Sequence, residues 1–270
     1  MLRQPAVADR FYDGDPAKLH QSLNSLIPES SDKISAKAVL SPHAGYIYSG
    51  GVAGETFARI SIPETVILLG PNHHGQYHDQ RTPLAVGTQD WDMPLGEVPL
   101  ANDLAHDLLS SSALFTANDT AHRSEHSLEV QIPFLQYFQK NLHILPVVVS
   151  QLSLQQCHQA ATELAQAIRR FNRPTLLVAS TDMTHYLPRK QASKQDHLAL
   201  DYILDLDAAG LYDTVLSHRI SMCGIMPTTI TLLAAAELGA EQAELIRYTD
   251  SGEVSGDTEQ VVGYAGVIIR

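Results

Sequence analysis

Cysteine is nearly absent from this chain: Cys157 and Cys223 are the two in 270 residues. Two thiols cannot build the disulfide framework of a small secreted domain, so the expectation is a reduced, cytoplasmic protein. Long apolar runs are missing too. None approaches the roughly 18 residues that span a bilayer, and Met1-Leu2-Arg3-Gln4-Pro5 lacks the apolar stretch of a signal peptide. Basic residues are scarce, with 18 Lys and Arg against 30 Asp and Glu, a net charge of −12 with His neutral. Such a field repels nucleic acid and anionic membranes, so neither is expected as a partner. No internal repeat, low-complexity tract or linker interrupts the sequence, and one domain over residues 1–270 is expected.

Histidine, by contrast, is plentiful at 13 residues. The informative ones follow one design, in which an apolar run that reads as a buried strand is followed by a turn and then histidine. The instances are Ala38-Val39-Leu40-Ser41-Pro42-His43, Val66-Ile67-Leu68-Leu69-Gly70-Pro71-Asn72-His73-His74 and Leu176-Leu177-Val178-Ala179-Ser180-Thr181-Asp182-Met183-Thr184-His185. In an open α/β sheet the carboxyl ends of parallel strands line one crevice, so polar side chains just past those ends converge.

The remaining pattern supports that sheet. Helical spacing is read over Asp15–Leu26 behind an Asp-Pro start, and over Gly50–Arg59, Ala101–Leu109, Ser124–Gln139, Leu154–Arg169, Gln195–Leu206, Ala208–Ser217 and Pro227–Leu238. Strands are read ending at Leu40, and over Thr65–Leu69, Leu142–Val149, Pro174–Ala179, Glu244–Tyr248 and Val261–Ile269. The stretch from Asp79 to Pro99, broken by Pro and Gly, reads as hairpin or loop that could cover a site. Strands alternating with helices predict an α/β fold with a mostly parallel or mixed sheet flanked by helices.

Of the two adjacent imidazoles, His73 is expected to face the crevice and His74 to stand aside, because neighbouring residues rarely aim at one point. Asp182 and His185, three apart, share a face if their turn is helical, as metal ligands or an acid/base pair; Asp182 reads equally as a helix cap. Cys223 precedes a helix with Pro227 in its first turn, where free amides and the dipole favour a thiolate. Cys157 reads as packing. Glu125 and His126 could line the same cleft or form a capping box with Ser124 or Ser127. Two imidazoles with a thiolate or carboxylate leave open coordination positions, which suits catalytic Zn, non-haem Fe(II) or Cu.

Ser-Pro-His-Ala-Gly-Tyr at 41–46, Leu-Gly-Pro-Asn-His-His at 69–74, Glu-His-Ser-Leu-Glu at 125–129, Ser-Thr-Asp-Met-Thr-His at 180–185 and Cys-Gly at 223–224 resemble, in order and spacing, the Memo family. Its prokaryotic members are called AmmeMemoRadiSam system protein B. The resemblance implies a fold similar to class III extradiol dioxygenases, with His43, His73 and Cys223 at the metal-ligand positions and Asp182 and His185 in the same pocket as catalytic candidates. It implies Fe(II) or Cu, with Zn possible, in a redox enzyme or oxygenase acting on a small-molecule or peptide ligand. The family's system name also implies radical-SAM and AMMECR-type protein partners, for which the chain would be a non-catalytic binding partner. Cysteine stands where the dioxygenases place glutamate, and a soft thiolate favours Cu or Zn. A metal-assisted hydrolase is the remaining reading.

Overall fold

The computed structural model describes residues 2–30, 32–75 and 83–270. Its strands are β1 (Ala38–Ser41), β2 (Thr65–Pro71), β3 (Leu84–Val86), β4 (Phe115–Ala117), β5 (His143–Val149), β6 (Thr175–Ser180), β7 (His185–Leu187), β8 (Ala243–Asp250) and β9 (Val261–Ile269). The helices are α1 (Pro16–Leu26), α2 (Tyr46–Ala58), α3 (Asn102–Ser111), α4 (Asp119–His122), α5 (Ile132–Phe138), α6 (Leu154–Phe171), α7 (Arg189–Leu204), α8 (Ala208–Ser217), α9 (Ile225–Glu237) and α10 (Gly252–Ser255). This is the expected α/β architecture, a mixed sheet flanked by helices.

The sheet runs β4-β3-β5-β2-β6-β1-β9-β7, with β8 also paired to β9. Its centre, β5-β2-β6-β1, is parallel, and β3 and β9 join it antiparallel on the two sides. The central strands are buried on both faces, which is why they read as continuous apolar runs rather than alternating ones. Alternate residues feed two cores. Leu40, Leu69, Leu145 and Leu177 pack with α3, α6, α8 and α9, while Val39, Leu68, Ile144 and Val178 pack with α1, α2 and α5.

Several expected boundaries move. The helix expected over 124–139 is a 3-10 turn, Glu129–Gln131, followed by α5; residues 124–128 are not helical, because the Glu125 carboxylate takes the amides of His126 and Ser127. The residues after β6, 181–184, form no helix and lead into β7, so Asp182 and His185 do not share a helix face. Of the stretch 79–99, the residues before 83 lie outside the described residues. Its later part does not roof the histidines, since Leu95 and Val98 line a groove with Glu64 and His143 at the opposite, amino end of β2 and β5. Among the described residues, no helix is long and apolar enough to cross a membrane.

Candidate metal centre

The parallel strands deliver their polar residues with one offset. β1 ends at Ser41, β2 at Pro71 and β6 at Ser180, and His43, His73 and Asp182 each stand two residues beyond. Register fixes those ends side by side, with Ser41 opposite Ser180 and Leu69 opposite Ala179. His126 comes from the loop before the 3-10 turn, and Cys223 from the residue before the Gly224 cap of α9. Gly224 is needed there: a Cβ would lie 2.4 Å from Thr181 Cβ and 2.6 Å from the Ser180 carbonyl oxygen. A side chain would push α9, and Cys223 with it, off the end of β6.

The imidazoles of His43, His73 and His126 form one cluster, with a ligand atom of each within 4.8 Å of the others. Ring centroids of His73 and His126 are 4.5 Å apart and nearly stacked, and His43 stands edge-on to both. Cys223 Sγ lies 3.3 Å from His43 Nε2. His74 is exposed, its ring 6.2 Å from that of His126.

Glu125 organises the cluster. Its carboxylate accepts from the His73 amide at 2.6 Å, from His73 Nδ1 at 2.9 Å, and from the amides of His126 and Ser127, both at 2.9 Å. Burial alone would raise this carboxyl, but the His73 and Ser127 contacts outweigh it and hold it down at about 2. An ionised carboxylate has no proton to give, so His73 Nδ1 is the donor, which turns Nε2 toward the other rings. Burial, reinforced by the neighbouring imidazole His73, drives His43 well below the ordinary histidine value. Burial also takes His126 down to about 4. Neutral imidazoles are the form that binds metal.

Asp182 accepts from the His43 amide at 2.7 Å, and burial raises its carboxyl. His185 donates from its own amide to Ser221 Oγ at 2.8 Å, and its Nδ1 lies 2.9 Å from the Ser221 carbonyl oxygen. A carbonyl only accepts, so Nδ1 of this ring is the donor. No hydrogen bond joins Asp182 to His185 among the described residues. The thiol of Cys223 departs from the sequence expectation. Burial, with the Asp182 charge beside it, raises its pKa, and the hydrogen bonds it receives from the Asp182 amide and Thr181 do not compensate. Cys157 is buried inside α6 with its thiol pushed up to about 12, as packing requires.

The donor set fits a transition metal. Ligand bonds of ~2.0 Å to nitrogen and ~2.3 Å to sulfur, meeting at 90–110°, separate the two donors by about 3.1–3.6 Å, and the Cys223–His43 separation of 3.3 Å falls in that interval. Beside them a cavity of about 200 Å³ is lined by Asn72, His73, Val149, Ser150, Cys223 and Met226, among others.

A profile of Memo-like proteins matches residues 3–268. The chain belongs to the Memo family. A MEMO1 family protein of Methanopyrus kandleri is 38% identical over 287 residues, covering 100% of this chain and 99% of the relative. MEMO1 family proteins of Methanosarcina barkeri and Aquifex aeolicus are also 38% identical, covering 100% and 99% of this chain and 100% and 98% of theirs. The Memo-family fold is shared with an uncharacterized Escherichia coli K12 protein of known structure, at a TM-score of 0.55 and 14% identity over 84% of this chain and 98% of that one.

Glu125 and His126 were visible in the sequence as candidates without an assigned role; their part comes from a loop that reaches over β2. Ser180, which bonds His43, and Gln131, which bonds Ser180 and the Pro42 carbonyl oxygen, gave no sequence signal, because a neutral residue at a strand or turn end is indistinguishable from packing.

Proposed function

We propose that this Memo-family protein is a metal-dependent redox enzyme of oxygenase type, in which His43, His73 and Cys223 hold one Fe(II) or Cu ion and His126 faces the same point. The observation that carries the reading is the 3.3 Å approach of Cys223 Sγ to His43 Nε2 inside a cluster of three imidazoles, His43, His73 and His126. Imidazole and thiolate donors suit Fe, Cu and Zn, and the first two supply electron transfer when bound. Metal binding would take the thiol proton that burial otherwise retains.

The chain's own residues supply the rest. His185 offers Nε2 as proton acceptor, held in orientation by Ser221. Asp182 fixes the backbone of His43 rather than the ring of His185. The cavity beside His73 and Cys223 has no Lys or Arg among its described lining residues, so no ammonium or guanidinium among them adds to the metal in drawing an anionic substrate. That favours a small neutral substrate, or a neutral side chain of a peptide.

Metal analysis of anaerobically purified protein, beside the His43→Ala/His73→Ala variant, tests the site. The wild type is expected to carry about one Fe or Cu per chain and the variant almost none. Equal metal content in both would overturn the site, and wild-type protein that takes up Zn alone would overturn the redox assignment.

A further inference from the structure

We propose that Ser180 and Gln131 form a positioning pair that fixes His43 in its Nδ1–H tautomer and reserves Nε2 as the lone pair aimed at the centre. The consequence for metal binding rests on the function proposed above; the tautomer itself is a property of the chain.

The argument is hydrogen-bond bookkeeping around one hydroxyl. Ser180, the last residue of β6, and Gln131, the last of the 3-10 turn, are both fully buried. Ser180 Oγ has three close polar neighbours: the Ser127 carbonyl oxygen at 2.6 Å, Gln131 Nε2 at 2.9 Å and His43 Nδ1 at 2.9 Å. A hydroxyl has one hydrogen to give and two lone pairs to receive. The Ser127 carbonyl can only accept, so it takes the hydrogen. The Gln131 amide nitrogen can only donate, and it fills one lone pair. Its other hydrogen goes to the Pro42 carbonyl oxygen at 2.8 Å, which also fixes the amide's orientation, since an oxygen there would oppose a carbonyl. One lone pair remains, facing His43 Nδ1, and only an N–H can use it. In the opposite tautomer two lone pairs would meet in a fully buried place.

The ring is thereby committed. Nε2 has no proton, and the atom it faces at 3.3 Å is Cys223 Sγ. Gln131 acts twice, because Pro42 immediately precedes His43. Its amide holds the backbone that launches the ring as well as the hydroxyl that reads the ring. His73 gets the same tautomer from the charged Glu125. For His43, sealed beneath the sheet end, a neutral pair does the work without burying a second charge.

The test uses the metal-free full-length chain carrying nitrogen-labelled histidine, read by long-range proton–nitrogen correlation spectra. Wild-type His43 is expected to show a protonated Nδ1 and a bare Nε2. Ser180→Ala is expected to populate the Nε2–H form at His43 while His73, held by Glu125, stays unchanged, and to weaken metal binding about ten- to a hundredfold. Ser180→Thr, which keeps the hydroxyl, restores both. Gln131→Met is expected to weaken metal binding in the same direction, again with His73 unmoved.

A protonated Nε2 in wild-type His43 overturns the proposal whatever the variants do. So does Ser180→Ala with an unaltered His43 tautomer, and Gln131→Met with wild-type metal affinity removes Gln131 from the pair. A Ser180→Ala protein in which His73 also changes has lost the local fold, and Gln131→Met and Ser180→Thr then decide. Wild-type protein with the expected tautomers but no metal affinity would refute the metal centre and leave the pair standing.

Discussion

Cys223 Sγ and His43 Nε2 lie 3.3 Å apart although 180 residues of chain separate them, and the contact forms because the α9 cap docks on the end of β6, beside β1. On the proposed function the two are donors of one ion and act as a unit, so their losses do not add. Cys223→Ser and His43→Ala are each expected to lower metal affinity by more than the roughly 10–100-fold typical of outer partners, and the double variant to be little worse than the poorer single. Competitive metal titration checks this; strictly additive losses would show that the two side chains serve different sites.

Glu125 accepts from three backbone amides and one imidazole, and it does so as an anion. Glu125→Gln keeps the shape but puts an amide hydrogen against some of those donors. The expected outcome is a loss of about 2 kcal/mol or more in urea unfolding, together with about 10–100-fold weaker metal binding. Unchanged affinity with lowered stability would confine Glu125 to the fold.

Arg3 reaches from the amino-terminal segment to the Glu129 carboxylate and to the carbonyl oxygens of His122 and Glu125, with its guanidinium 4.0 Å over the Trp91 ring. Glu129 also accepts from the amides of Ala6 and Val7 and from the Tyr12 hydroxyl. Arg3→Ala leaves a fully buried carboxylate without its counter-charge, and is expected to cost about 3–5 kcal/mol. Arg3→Lys should recover part of this, because one ammonium cannot fork to both carbonyls. Chemical denaturation measures both, and a loss under about 1 kcal/mol for Arg3→Ala would contradict the structure.

Acid should unfold the metal-free protein early. Burial lowers His122 and His126 to about 4, so the folded state stays unprotonated at these rings while the unfolded chain takes up protons near 6.5. Their stabilising contribution is complete above about 6.5 and is lost as pH falls toward 4. Glu125, held at about 2 against 4.5 unfolded, contributes above 4.5 and is lost as pH falls toward 2. Both act in one direction, as does the lowered His43, while the raised carboxyls of Asp182 and Asp196 act in the other. Three imidazoles outweigh two carboxyls, so Tm should decline from pH 7 to 4, and a Tm that rises instead would refute the buried neutral imidazoles.

The strands around the centre were legible because burial on both faces makes them short apolar runs, and β9 and α8 fall within the bounds their patterns set. The short strands β3, β4 and β7 carry too few residues for a period to show. The helix expected from residue 124 failed because periodicity counts apolar positions and is blind to a carboxylate that captures its own backbone amides.

The chemistry-bearing types at the strand exits, His43, His73 and Asp182, are a property of the linear chain, since position in sequence alone puts each just past an apolar run. The sulfur's neighbour, the carboxylate that turns His73 and the hydroxyl that turns His43 belong to the tertiary structure. Each depends on distances between segments more than 35 residues apart, and such distances are set by strand order and helix docking, which no local pattern encodes.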